Sequence, residues 1–407
     1  MGEQEAGATA HGHRAGRPGF ATRAVHGAAA PPVGQRPAST PIYQTSTWRF
    51  DTLQDFAEVI AQERDGFVYG RGYGNPTVAA FEATMASLEG TGAAMAFDSG
   101  MAAVHTVATT LARSGDRIVA SPQVYGGTYS LLATVLPRYG IAVDFVDPTD
   151  LSAVETALEG AAALYVETIA NPLLTVADLA ALGALCARTG VPAVVDNTVA
   201  TPYLCTPAAF GFTHVLHSAS KYIGGHSDLI GGAVCASADA VAALGATARE
   251  TGGAMQPLEA WLCLRGLATL ALRVERHCAT AQAIAELLAG HRRVTATRYP
   301  GLPGDPSHGT GQRILCGGSG GLVAFDLEGG LEAATAFCEA LTIPWIGASL
   351  GGPHTLVAHP ASTTHRQIDP EVRRRQGMGD GFIRLSTGLE DPADLLADIE
   401  AALAACG

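Results

Sequence analysis

Lysine is almost missing from this 407-residue chain: among its 25 Lys and Arg residues there is a single lysine, Lys221. A primary amine can lose its proton near neutral pH when desolvated and attack a carbonyl, which a guanidinium cannot. Long apolar runs are also missing. None reaches the length of a membrane span, and the N-terminus lacks the short apolar core of a secretory signal, so a cytoplasmic protein away from the membrane is expected. The formal charge of -13 leaves no broad basic face, which disfavours nucleic acid and anionic membrane as partners. The eight cysteines include no Cys-x-x-Cys pair, so neither a disulfide framework nor a zinc site is indicated and reduced thiols packed in a core are expected. His11 and His13 would bind a metal weakly at best and lie in a Gly/Ala-rich stretch read as an unstructured tail. No metal site is expected.

What the chain has is apolar bulk: hydrophobic residues make up 47% and charged residues 15%, a balance that calls for much buried surface and, at this length, about two domains. The stretch His214-Val-Leu-His-Ser-Ala-Ser-Lys-Tyr-Ile-Gly-Gly-His-Ser-Asp-Leu-Ile-Gly-Gly232 surrounds the lone lysine. Ser218 and Ser220 are expected to share one face of an extended segment, and the glycines allow close backbone approach. A leftover surface lysine is the plain alternative, but it would leave those flanks arbitrary.

In chain order, residues 20 to 64 read as an extended arm kept open by Pro31, Pro32, Pro37 and Pro41. A glycine-rich loop follows, with Tyr69, Arg71 and Tyr73 on it: either a phosphate clamp or an ordinary surface loop. A helix is predicted over 78–88. From Ala93 short apolar runs alternate with amphipathic ones. The runs 117–120, 141–146, 163–167, 193–196, 214–217 and 229–236 read as buried strands, and 178–189 as a helix with Leu179, Leu182 and Leu185 on one face. That pattern is a largely parallel sheet with helices on both faces, an α/β fold. After Pro257 a long helical stretch runs to Leu288, then a Pro/Gly-rich loop to Gly321, strands near 322–327 and 383–386, and a helix over 392–405. The expected division is an N-terminal tail and arm (1–65), a cofactor-binding domain (66–262) and a smaller C-terminal α/β domain (263–407).

In such a sheet ligands sit beyond the carboxyl ends of the strands, so polar residues that end apolar runs are the informative ones. Ser99 and Gly100 end one run and open a helix at Met101, whose free N–H groups and dipole suit a phosphate. Asp196 ends Val-Pro-Ala-Val-Val and is either a strand cap or the partner of a buried cationic nitrogen. Asn171 and Tyr125 complete the set. A lone amine, an anion-binding helix start, a carboxylate and an aromatic ring together are what pyridoxal phosphate (PLP) requires.

The motifs His-Ser-Ala-Ser-Lys-Tyr-Ile-Gly-Gly-His-Ser-Asp, Val-Val-Asp-Asn-Thr, Tyr-Gly-Gly-Thr, Ser-Gly-Met-Ala-Ala, Tyr-Gly-Arg with Asn-Pro-Thr, and Ile-Arg-Leu-Ser-Thr-Gly-Leu-Glu-Asp occur in that family's order and resemble the Cys/Met-metabolism family of PLP enzymes, from about Phe20 to the C-terminus. The resemblance implies fold-type I, the aspartate-aminotransferase-like architecture. It implies Lys221 as Schiff-base lysine and general base, and Asp196 as partner of the pyridine nitrogen, with Thr198 beside it. Ser99, Gly100, Met101, Ser218 and Ser220 would hold the phosphate, Tyr125 would stack on the ring and help move protons, and Asn171 would bond the ring oxygen. Tyr69 and Arg71 would reach the neighbouring subunit's phosphate, which implies a homodimer that shares active sites and pairs into a homotetramer. Arg384 with Ser349 would fix the substrate's α-carboxylate, and His354 would lie near its distal end.

By that resemblance the reaction is γ-replacement or γ-elimination on a homoserine-derived or sulfur amino acid through a vinylglycine-type intermediate, as in cystathionine γ-synthases, cystathionine and methionine γ-lyases and O-acylhomoserine sulfhydrylases. Its partners would be an amino-acid substrate and a thiol or carbon nucleophile. Three departures bear on the branch. The loop from Tyr69 to Asn-Pro-Thr is one residue longer than usual. Gly127 stands where methionine γ-lyases carry cysteine, which favours replacement, and His354 stands where many members have glutamate. A cystathionine or methionine γ-lyase, an enzyme forming a γ carbon–carbon bond, and a silent PLP-binding protein remain as alternatives.

Overall fold

A computed structural model describes residues 18–26, 37–72, 74–366 and 369–406. His11, His13, Pro31, Pro32 and Tyr73 lie outside the described residues. The larger sheet contains β1 (Ala93–Phe97), β2 (Arg117–Ala120), β3 (Ala142–Phe145), β4 (Ala163–Glu167), β5 (Ala193–Asp196), β6 (His214–Ser218) and β7 (Gly232–Ala236). Its order is β1-β7-β6-β5-β4-β2-β3, parallel from β6 through β3, with β7 antiparallel to both of its neighbours. Strands β4 and β7 are buried along their whole length, which is why they read as unbroken apolar runs rather than alternating ones.

The helices follow from their caps. Asn75 accepts the Thr77 N–H at the head of Pro76–Glu89, and Gly90 closes it at φ 74°. Asp178 accepts the Ala181 N–H and starts Leu179–Thr189, which buries Leu179, Leu182, Leu185 and Cys186. The arm carries two short helices, Phe20–His26 and Leu53–Ile60; the rest of it, where described, is bends, turns and stretches without regular structure apart from one bridge between Thr47 and Tyr69.

The stretch expected as one long helix after Pro257 is two, Pro257–Leu267 and Leu270–Ala289. At the break the guanidinium of Arg273 donates to the carbonyls of Gly266 and Tyr222, both at 2.7 Å, and to Thr269 Oγ1 at 3.1 Å. It ties the first helix's end to the backbone just after Lys221.

The smaller sheet contains β8 (Val294–Arg298), β9 (Leu322–Leu327), β10 (Trp345–Ile346), β11 (Leu356–Ala358) and β12 (Phe382–Ser386), in the order β10-β11-β12-β9-β8. The helices Leu270–Ala289, Gly330–Ala340 and Pro392–Ala405 share a core with it around Phe325, Phe337 and Leu403. The loop expected over 299–321 also holds a short helix, His308–Ile314. Six of the eight cysteines are buried, and all are free. Among the described residues no helix is long and apolar enough to cross a membrane, and no cluster of three or more His, Cys, Asp or Glu is disposed to hold a metal.

Candidate active site

Three adjacent parallel strands end in side chains of the site: β4 in Glu167, β5 in Asp196 and β6 in Ser218. Glu167 and Asp196 face each other in register. Burial raises the pKa of both carboxyls, and that of Glu167 is raised further by the Asp196 charge. Asp196 is drawn partly back down first by its bonds to Thr198, whose N–H it accepts at 2.9 Å, and then by His217 on β6. His217 is fully buried and bonded to Glu89 at 2.6 Å; Glu89 also accepts from Asn197 at 2.9 Å. A carboxylate held this way is costly without a cation beside it. A protonated pyridine nitrogen meets that requirement.

Ser99 caps the helix Gly100–Leu111: its Oγ accepts the Ala102 N–H at 3.1 Å and its carbonyl takes the Ala103 N–H at 3.2 Å. The amides of Gly100 and Met101 lie ahead of these, with no intrahelical acceptor. Gly100 packs on Ser218 so closely that a Cβ on it would sit 2.9 Å from Ser218 Cβ. Ser218 donates its own N–H to Thr198 Oγ1 at 2.7 Å, which joins the helix start to the Asp196 turn. The extended segment expected to carry both serines ends at Ser218. Ser220 lies in the following turn, where its Oγ accepts the Gly231 N–H at 3.0 Å. The chain turns there because Lys221 and Gly225 close a tight loop, Lys221 N–H to the Ser218 carbonyl and Gly225 N–H to the Lys221 carbonyl.

Lys221 is half-buried, and its Nζ donates to Ser349 Oγ at 2.9 Å. Burial and the nearby Arg384 lower its pKa below the ordinary lysine value. Ser349 holds φ 94°, a left-handed conformation that costs a non-glycine residue about 1–3 kcal/mol. Its carbonyl accepts from Arg384 Nη2 at 2.7 Å, while Arg384 Nη1 donates to Asn171 Oδ1 at 3.0 Å. Asn171 therefore keeps its amide nitrogen free to face a ring oxygen. Arg384 is 3% exposed, forms no ion pair with a carboxylate among the described residues, and leaves Nε without a partner; burial lowers its pKa to about 10. A buried guanidinium in that state is a receptor for a carboxylate. Tyr125 opens the short helix Gly126–Ser130 with its ring 44% exposed, available for stacking.

Glu167, which sequence reasoning passed over, closes the set. One of its oxygens accepts the Tyr125 N–H at 2.7 Å and the other the Asn171 N–H at 2.9 Å. An unbroken series of hydrogen bonds thus runs from Lys221 through Ser349, Arg384, Asn171 and Glu167 to Tyr125. The strand-end signal that singled out Asp196 was present at Glu167 as well.

Tyr69 and Arg71 stand apart from this series. They line a separate cavity with Asp98, Gln256 and the backbone of Gly252 and Gly253, and Arg71 donates to the Arg249 carbonyl. His354 is exposed and stacks on Trp345, ring centroids 4.0 Å apart and planes 18° from parallel. A Cβ on Gly127 would lie 2.5 Å from the Tyr125 ring, so that ring occupies the space a side chain would need.

Residues 21–404 match the model of the family described as Cys/Met metabolism PLP-dependent enzyme. The chain belongs to that family. A family member of this kind is a PLP-dependent enzyme, and the residues above suit the cofactor: a desolvated amine, a strand-end carboxylate, an open helix start and an exposed aromatic ring. The chain is 41% identical to an L-methionine gamma-lyase of Pseudomonas putida over 391 residues, 95% of this chain and 98% of that one. Among solved structures, cystathionine gamma-lyase of Lactobacillus plantarum, complexed with L-serine, is 38% identical, with TM-score 0.89 and coverage of 95% and 99%. A putative O-acetylhomoserine (thiol)-lyase of Campylobacter jejuni, solved with N'-pyridoxyl-lysine-5'-monophosphate, is 30% identical, with TM-score 0.90 and the same coverage. The fold is accordingly that of the fold-type I PLP enzymes, with a mostly parallel central sheet and a smaller second sheet.

Proposed function

We propose that this PLP enzyme carries out elimination or replacement at the γ-carbon of a homoserine-derived or sulfur amino acid. The observation that carries the reading is the bonded group of Lys221, Ser349 and Arg384, which sets a proton-accepting amine beside a guanidinium that has no carboxylate partner among the described residues. Bound PLP supplies an electron sink for the pair left when the substrate's α-proton departs. Arg384 binds the α-carboxylate bidentately and, with Ser349, orients the Cα–H bond toward Lys221 Nζ. Lys221, its pKa lowered by desolvation, accepts that proton and returns it further along the substrate. Asp196, with Thr198 holding its carboxylate in place, keeps the pyridine nitrogen protonated. Ser99, Gly100, Met101, Ser218 and Ser220 would hold the phosphate, Asn171 would bond the ring oxygen, and Tyr125 would stack on the ring and assist proton transfer.

The same reading assigns the cofactor domain to 66–262 and the C-terminal domain to 263–407, and gives Tyr69 and Arg71 to the phosphate of a second subunit in a homodimer that pairs into a homotetramer. Their separation from the Lys221 series supports that assignment. For the branch, relatives named as lyases favour elimination from a sulfur amino acid. Gly127, which leaves the space beside Tyr125 to its ring, favours replacement by a thiol or carbon nucleophile. Product analysis with O-acetyl-, O-succinyl- and O-phosphohomoserine, cystathionine and methionine, with and without a thiol, separates them. Ammonia and a 2-oxo acid mark elimination, a new γ-thioether marks replacement, and no product from any substrate would overturn the enzyme reading in favour of a silent PLP-binding protein.

A further inference from the structure

We infer that Glu167 is a positioning residue that couples the ring of Tyr125 to the substrate-carboxylate site at Arg384. The inference rests on the site assignment above. Tyr125 and Asn171 are 46 positions apart in sequence and belong to different turns, yet their backbone N–H groups end on the two oxygens of one carboxylate. Each oxygen fixes one turn. The first fixes the backbone that carries the Tyr125 ring; the second fixes the backbone of Asn171, whose Oδ1 accepts from Arg384 Nη1. Because Glu167 sits at the end of a strand buried over its whole length and is itself 6% exposed, it cannot move without moving β4. A displacement on either side is therefore passed to the other.

The chemistry of the side chain matters as much as its place. A carboxylate presents acceptors on both oxygens, whereas an amide presents one acceptor and one donor, so Glu167→Gln must turn an N–H group toward either the Tyr125 or the Asn171 N–H. Volume and burial are kept, and one of the two turns is released. Burial and the Asp196 charge raise the Glu167 pKa; the N–H groups of Tyr125 and Asn171 act against that rise by stabilising the carboxylate, and the amide variant does not titrate at all.

The test uses Glu167→Gln, with Tyr125→Phe and the double variant for a cycle, all as holoenzyme. Four readouts are taken: melting temperature, visible circular dichroism of the bound cofactor, cofactor dissociation constant, and the pair kcat and KM, each measured separately. Coupling predicts an altered cofactor dichroism, a cofactor dissociation constant raised several-fold, kcat/KM lowered tenfold to a hundredfold, and non-additivity with Tyr125→Phe, which keeps the backbone N–H. A lower melting temperature with native dichroism, native cofactor affinity and additive kinetics would overturn the inference, since a purely structural glutamate moves only the first. Wild-type protein that gains no chromophore with PLP would instead sink the site assignment, so the two failures are distinguishable. If Glu167→Gln proves insoluble, Glu167→Asp, which keeps the charge but is one methylene too short to reach both turns, gives the same readouts and is held to the same two outcomes.

Discussion

A methyl group added at Gly232 tests the proposed phosphate cradle without touching any side chain in it. Gly232 begins β7, pairing with Phe97 on one side and Ser218 on the other. A Cβ there would stand 2.7 Å from the Ser99 carbonyl carbon and 2.9 Å from the Gly100 nitrogen, and closer still to the Ser99 carbonyl oxygen. All three are backbone atoms at the mouth of the helix Gly100–Leu111, so no change of rotamer relieves the collision. The Ser99–Gly100 peptide must retreat by roughly 1 Å to regain ordinary van der Waals separation. Gly232→Ala is not strained in its own backbone, because its φ is outside the left-handed region. The whole effect is steric.

Overpacking of this kind costs about 1–3 kcal/mol. If the cradle absorbs it on binding, the cofactor dissociation constant rises by about tenfold to a hundredfold, at about 1.4 kcal/mol per decade. Titration of apoprotein with PLP, followed by absorbance, measures this, with Gly304→Ala as control because nothing lies within 4 Å of a Cβ at that position. Should Gly232→Ala bind PLP within twofold of wild type while its apoprotein melts at the wild-type temperature, the cradle is not where these contacts put it.

Two further outcomes follow from single side chains. The purified protein should be yellow, with a chromophore that borohydride fixes onto Lys221, and Lys221→Ala should lose both the fixation and turnover; peptide mapping that finds the label elsewhere refutes the assignment. At Glu82, burial lifts the carboxyl to about 7 while one oxygen accepts the Ala96 N–H at 2.8 Å. A folded-state pKa raised above the unfolded value gives stability that is present in acid and lost as pH climbs from about 4.5 through 7. Gln accepts the same N–H and does not ionise, so Glu82→Gln should exceed wild type at pH 8 by up to about 3 kcal/mol, at 1.36 kcal/mol per unit, and converge with it as pH falls below about 4.5. Melting temperatures across that range that keep a constant difference would contradict the burial of the charge.

The parallel core was legible because burial on both faces writes strands as short uninterrupted apolar runs. The runs at 117–120, 163–167 and 193–196 are strands with those bounds. The final helix was legible for a different reason: Asp391 caps it and Pro392 starts it, with Leu395, Ile399, Ala402 and Leu403 on the buried face. What escaped notice lacked both signals. Strand β8, Val-Thr-Ala-Thr-Arg, is an exposed edge, and β10 is two residues long with Trp345 and Ile346 both exposed. The helix break at Ala268 depends on Arg273 reaching back to Tyr222, a contact across 51 positions that no local pattern contains. Glu167 escaped for a similar reason, since its identity as a polar strand end was plain but the return of the Tyr125 backbone to it was not.

That division between local and returning contacts bears on which reaction the enzyme runs. The residues proposed to serve the step common to elimination and replacement, Lys221, Ser349, Arg384, Asn171 and Tyr125, are joined by hydrogen bonds in one series that includes Glu167. A change in one is felt by the others. His354 is held differently, by a stack on the exposed Trp345, and Gly127 by the absence of a side chain. In the proposed reading, substitution at either position alters what surrounds the distal part of a substrate without breaking a bond in the series from Lys221 to Tyr125. A family built on this plan can exchange leaving groups and nucleophiles at its margin while the proton-transfer machinery stays fixed. The branch taken by this chain must therefore be sought at Gly127 and His354 rather than at Lys221.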